Sequence, residues 1–312
     1  MNSKAVQSRN GESRKSTVKR LLIYLVIAFV PFYIIIPVMW SYFGEPIFVS
    51  ENAATAIYCF GATGMLIPSA AHLITRLVTK EGFRNSYLGL NTKGKMGYWT
   101  ASVIVPLAYT SLTAVLIWAM YLDGMSLSET FGNIDLQSIG ILLIQISYSV
   151  ICFLPAFGEE WGWRGYMMPK LMELMPKPLA VLVGGVLWGL WHAPLTVAGH
   201  NFGVEYPGYP FVGIGLMCLM CTALNALLTL LTEKTKSIYP AAFVHAINNN
   251  LNMGIWFAIF GSEEAVEKIS DLSSYDIFIF PFIEVITVVG IISFILLMKK
   301  DKSAVEEIST LA

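Results

Sequence analysis

Eight stretches of this chain are each long and apolar enough to cross a bilayer, for which an α-helix needs about 20 mostly apolar residues. They are 20–43, 53–78, 97–122, 137–157, 179–199, 211–232, 238–260 and 276–298. Charge is scarce elsewhere too. Only 13% of the residues are charged and 55% are hydrophobic, whereas a soluble domain is nearer a quarter charged. Such a chain cannot solvate a surface. The expected fold is all-α: a polytopic membrane protein with eight transmembrane helices and an intramembrane polar site. Pro31, Pro37, Pro68 and Pro106 fall inside spans, where neighbouring helices can satisfy the freed carbonyls.

The charges between the spans set an orientation. Arg14, Lys15, Lys19 and Arg20 precede the first span; Arg76, Lys80, Arg84, Lys93 and Lys95 follow the second; Arg164, Lys170 and Lys177 follow the fourth; Lys234 and Lys236 follow the sixth; Lys299, Lys300 and Lys302 follow the eighth. The alternate connections carry Glu45 and Glu51, then Asp123, Glu129 and Asp135, then Glu205, then Glu263, Glu264, Glu267 and Asp271, with Lys268 the lone base. Basic residues mark cytoplasmic loops, so both termini are expected in the cytoplasm, with the bilayer of a prokaryotic plasma membrane as the surroundings. The expected layout is a basic tail over 1–19, a membrane domain over 20–300 with its motifs in 155–255, and a second tail over 301–312. The first span is expected to remain uncleaved, because no convincing small-residue cleavage site follows it. A net charge of −1 names no partner, and without a basic stripe interleaved with aromatics no nucleic acid is expected.

Ionisable groups at membrane depth are expensive and read as functional by default. Three motifs carry them. In the first, GEEWGWRGYMMPK, Glu160 and Arg164 are i and i+4 and face each other. Glu159 lies roughly 140° around the helix from Arg164, so its burial needs another reason. The alternative is that both glutamates sit solvated at the cytoplasmic lip. In the second motif, Trp188 lies one turn before His192, ahead of Pro194, and can pack on the imidazole; the alternative is a satisfied interhelical histidine. In the third, His245 and Asn249 are side by side at i and i+4, within a run that includes Asn248, Asn250 and Asn252. An interhelical polar clasp is the plain reading there. Glycines 158, 162, 165, 184, 185 and 189 permit close helix approach.

A carboxylate, two imidazoles and a carboxamide suit the activation of water. Glu159 with His192 would take its proton, and His245 with Asn249 would donate to an oxyanion. No H-E-x-x-H or G-x-S-x-G occurs, so the metalloprotease helix and the serine elbow are absent. Asp123 and Asp135 lie outside the spans, which argues against an aspartyl dyad. His72 and His200 read as bystanders. Cys59, Cys152, Cys218 and Cys221 read as packing residues, including the C-x-x-C pair.

These motifs resemble those of the CPBP family, the CAAX protease and bacteriocin-processing group once called Abi, whose pattern is E-E-x-x-x-R, F-x-x-x-H and H-x-x-x-N. The resemblance implies an intramembrane glutamic endopeptidase of eight helices, needing no cofactor or metal and acting on a polypeptide in or at the membrane. It implies that Glu159 and His192 activate water, that His245 and Asn249 form the oxyanion site, and that Glu160 and Arg164 support the motif. Trp188 stands where the family usually has Phe, which implies a narrower pocket. Two other readings stay open: a His₂Glu zinc site of Glu159, His192 and His245, and a non-enzymatic immunity or scaffold protein of the same fold.

Overall fold

The structure is a computed structural model. It describes residues 3–51, 53–55, 63–132, 134–251, 253–277 and 282–299. Cys59, Asn252, Lys300, Lys302 and the 301–312 tail lie outside the described residues, as does part of the second expected span.

The chain is helical, with no strand among the described residues. Helix α1 is Ser3–Phe43 and α2 is Ile67–Val78, preceded by a 3-10 turn, Gly64–Leu66. Helices α3, Met96–Tyr121, and α4, Leu136–Ile151, follow. Next come α5, Phe153–Gly162, a π turn, Trp163–Met167, and α6, Met168–Leu174. Helices α7, Lys177–Trp191, and α8, Ala193–Val197, precede α9, Phe211–Thr235. The chain then forms α10, Tyr239–Asn250, α11, Met253–Phe260, α12, Glu263–Ser270, and α13, Ile283–Met298.

Among the described residues three helical segments are long and apolar enough to cross a membrane: Ser13–Phe43, Met96–Tyr121 and Phe211–Thr235. The pair Leu136–Ile151 and Phe153–Leu174, bent by 45°, makes a fourth if it is one span. The remaining apolar helices are short. The 15 residues of α7 rise about 22 Å, less than the ~30 Å hydrocarbon core. Among the described residues several of the eight expected spans are interrupted. The fourth bends at Cys152, which ends α4 and begins α5. The fifth breaks at His192, which ends α7 and begins α8 just before Pro194. The seventh breaks at Leu251, after the asparagine run. The break at His192 falls on a motif residue, and the break at Leu251 lies two residues beyond Asn249.

On the first helix apolar residues occupy both the buried and the exposed face. On α1, Leu21, Tyr24, Ala28, Phe32 and Ile36 are buried while Leu22, Val26, Val30 and Ile34 are exposed. The helix is continuous through the basic stretch before residue 20.

Helix α9 is central and packs along α7 and α13. Glycine makes that approach possible. A Cβ on Gly185 would collide with Thr222, and one on Gly189 with Cys218. Helix α2 lies equally close to α5: Gly158 faces Met65 and Leu66, and Gly162 faces Pro68. Helix α10 touches α3, α4, α5 and α9. The three motifs therefore converge from α5, the end of α7 and α10.

Candidate active site

The helical period divides the work of the two adjacent glutamates. Glu160 points along the face that carries Arg164, and Arg164 Nη1 donates to Glu160 Oε1 at 2.8 Å. The same oxygen accepts from His245 Nδ1 at 2.8 Å. Since a carboxylate only accepts, Nδ1 of His245 carries the hydrogen. Glu160 thus ties α5 to α10 across 85 residues.

Glu159 faces a different environment. Trp163 Nε1 donates to its Oε2 at 3.1 Å, and Trp188 Nε1 donates to the same atom at 2.9 Å. Glu159 is only 1% exposed, and among the described residues its carboxylate forms no ion pair. One glutamate binds the guanidinium and an imidazole; the other is held by two indoles.

Trp188 is the hub. Its ring lies beneath the Arg164 guanidinium, with Cζ 4.0 Å from the centroid. It meets the His192 ring edge-on at 5.9 Å and the His245 ring at 5.6 Å. Stacking of a desolvated Arg on indole contributes up to about 2 kcal/mol. That offsets part of the cost of burying Arg164, whose Nε and Nη2 have no hydrogen-bond partner among the described residues, as is true of Glu160 Oε2.

The backbone fixes the tautomer of His192. Its Nδ1 lies 2.8 Å from the Trp188 carbonyl, which can only accept, so Nδ1 carries the hydrogen and Nε2 keeps the lone pair. Cys221 Sγ packs 3.9 Å from the same Nδ1.

Asn249 stands apart. It is exposed, and its Oδ1 accepts from Asn248 Nδ2 at 3.3 Å. The flanking asparagines are anchored. Asn248 Oδ1 accepts from Tyr109 of α3 at 2.6 Å. Asn250 Nδ2 donates to the Gln145 carbonyl at 2.6 Å and to Ser149 Oγ at 2.8 Å, both on α4. Two helices therefore hold the turn that presents Asn249. Glu159, Glu160, Arg164, Trp188, His192 and His245 form one buried cluster, and Asn249 lies one turn from His245 at its edge.

Several contributors were not anticipated from sequence. Trp163 is four residues after Glu159, so the spacing that pairs Glu160 with Arg164 also signals this pair. Tyr109, Gln145 and Ser149 have no such signal, because their partners are remote in sequence. His72, expected to be a bystander, is fully buried and bonded to the Trp161 carbonyl.

Among the described residues no three His, Cys, Asp or Glu side chains gather closely enough to hold a metal ion. Two cavities lie away from the cluster. One of about 640 Å³ is lined by Glu129, Glu263 and Glu264 among others. An apolar groove of about 440 Å³ runs between α3 and α13 and has Tyr109 in its wall.

Residues 140–251 match the profile of a family described as Type II CAAX prenyl endopeptidase Rce1-like. The motif-bearing segment is similar to that family over about a third of the chain. The Rce1-like stretch contains the whole cluster, from Glu159 to Asn249. A comparison with curated proteins adds one relative: CAAX prenyl protease 2 of Methanococcus maripaludis is 24% identical over 152 residues, 46% of this chain and 54% of that protein. The chain thus spans about half the length of the curated relative it matches. The Rce1-like match, with the apolar helices, is that of a multi-pass membrane protein.

Proposed function

We propose that the chain is an intramembrane endopeptidase of the CAAX-protease type, hydrolysing a peptide bond with water activated by Glu159 and His192. The observation that carries this reading is the division between the glutamates. Glu160 is committed to Arg164 and His245, while among the described residues Glu159 is held only by indole N–H groups.

With both glutamates ionised, Arg164 charged and His245 an imidazolium, the cluster is neutral overall. Burial of that many charges requires such a balance. Water gives its proton to Glu159, with the lone pair of His192 Nε2 as a second acceptor that orients it. The hydroxide oxygen bonds to the scissile carbonyl carbon, and the carbonyl π pair moves to oxygen. His245 Nε2–H and the Asn249 amide donate to that oxyanion. As the C–N bond breaks, the proton held by Glu159 passes to the leaving nitrogen. No covalent enzyme intermediate forms and no metal takes part.

The reading extends to the whole chain. It places eight spans in a prokaryotic plasma membrane, with the basic connections and both termini in the cytoplasm. The substrate is a polypeptide in or at the membrane, and the name of the archaeal relative supports a prenylated C-terminus as the first probe.

The test is cleavage of a fluorogenic farnesylated CAAX peptide by the purified full chain in detergent or nanodiscs. Glu159→Gln is expected to fold and to lose at least about 10³-fold in turnover, the scale of removing an essential general base. Turnover within threefold of wild type in that variant would overturn the proposal.

A further inference from the structure

We infer that His72 is a positioning residue for the helix that carries Glu159 and Glu160, acting through the carbonyl of Trp161. The role in turnover rests on the proposed function; the role in holding the helix does not.

Pro68, His72 and Arg76 are spaced i, i+4 and i+8 on α2 and form the ridge that faces the first motif. Pro68 abuts Gly162, where a side chain would not fit. One turn on, His72 Nδ1 lies 2.8 Å from the Trp161 carbonyl. Its ring packs 4.6 Å from the Trp161 ring and 4.7 Å from the Tyr166 ring. Another turn on, Arg76 Nε donates to His72 Nε2.

These two bonds determine each other. The carbonyl accepts, so Nδ1 must carry a hydrogen. The guanidinium donates, so Nε2 must carry a lone pair. Only the neutral Nδ1–H tautomer satisfies both; an imidazolium would set an N–H against a cation. Arg76 is itself fixed by the carbonyls of Gly82 and Arg84, and its guanidinium lies 5.3 Å over the Tyr166 ring. His72 is 0% and Arg76 4% exposed. A buried Arg–His pair between apolar helices is costly, and packing alone does not require it.

The place it holds explains the cost. Trp161 lies between Glu160 and Gly162, two residues before the start of the π turn Trp163–Met167. Wide turns recur at functional sites and interrupt the regular hydrogen-bond ladder. Here the interruption sets where Trp163 and Arg164 stand relative to the two glutamates. The loop side braces the same residues: Trp161 Nε1 donates to the Ser86 carbonyl at 3.2 Å, and Tyr166 donates to Glu81 at 2.9 Å. His72 is the inner end of this brace.

The experiment uses the full chain and two readouts. His72→Phe keeps an aromatic ring but removes both hydrogen bonds; His72→Asn restores a donor where Nδ1 stood. Amide hydrogen exchange over residues 163–168 is expected to rise about tenfold or more in His72→Phe, with α9 unchanged, and to return towards wild type in His72→Asn. With the farnesylated peptide, kcat is expected to fall about 10–100-fold in His72→Phe at a KM within twofold of wild type, and to recover in His72→Asn. Arg76→Met leaves the bond to Trp161 in place and is expected to shift both readouts the same way by less; it decides the matter should His72→Phe fail to fold. Unchanged exchange over 163–168 overturns the inference. So does a rise spread equally over α9, which marks a merely structural role. If the wild-type chain cleaves nothing, the functional proposal fails while exchange still decides the role of His72.

Discussion

Trp188 Nε1 donates to Glu159 Oε2 at 2.9 Å, joining α7 to α5 across 29 residues. The position that departs from the family's usual Phe thus supplies a hydrogen bond that no phenyl ring can make. Trp163 donates to the same oxygen, so the two indoles are partly redundant. Trp188→Phe and Trp163→Phe are each expected to cost about 1.5–3 kcal/mol, the range for a hydrogen bond to a charged group. The double variant should cost more than the sum, because only then does the carboxylate lose both donors. Thermal denaturation in detergent over the full cycle measures this; strict additivity would contradict the shared-acceptor geometry.

Glu160 accepts from both Arg164 and His245 through one oxygen. Glu160→Gln is expected to destabilise the fold by about 3–5 kcal/mol, because it leaves a buried guanidinium without its counter-ion. Replacing Glu160 and Arg164 together with Met should recover part of that loss. Equal melting temperatures for the single and double variants would refute the account.

The anchors of the asparagine run should separate stability from turnover. Tyr109→Phe removes the bond to Asn248, and Asn250→Ala removes those to Gln145 and Ser149. Interhelical bonds in membranes average about 0.6 kcal/mol, so melting should shift little. Turnover should fall by about tenfold or more, since the turn presenting Asn249 is loosened at a donor position. Steady-state kinetics beside a melting curve distinguish the two effects.

Glu81 gives a pH dependence. Burial acts to raise its carboxyl, but the hydrogen bond and charge of Lys170 outweigh it, with Tyr166 and Arg20 assisting, and the group sits below its ordinary 4.5. Lys170 Nζ is 2.6 Å from Oε1. A carboxyl depressed in the folded state contributes stability above its unfolded value and loses it as pH falls through the folded one. The wild type should therefore exceed Glu81→Gln in melting temperature by a constant margin at neutral pH, and the margin should shrink below the ordinary carboxylate range. A margin independent of pH would show that the pair does not titrate with folding.

What could be read from the sequence follows the reach of local geometry. The i, i+4 rule places Glu160 against Arg164 and leaves Glu159 elsewhere, and both hold in the structure. The same rule would have found Trp163. It could not find His245 against Glu160, which is a relation between helices, nor which of the three asparagines faces α3, which α4 and which neither. His72 looked idle because its partner is a backbone carbonyl, and a carbonyl leaves no mark in residue identity. The all-helical fold was legible from run length alone. Run length does not register breaks: hydropathy counts His192, Ala193 and Pro194 within one apolar stretch, while the backbone ends a helix there.

The π turn has a consequence for helix register. One extra residue in a turn advances everything after it by about 100° relative to an unbroken helix. Tyr166, within the turn, and Lys170, one turn beyond it, both meet Glu81. Deleting a single residue within 163–167 is expected to turn Lys170 away from Glu81, so that the segment's neighbours are set by its count of residues as much as by their kind.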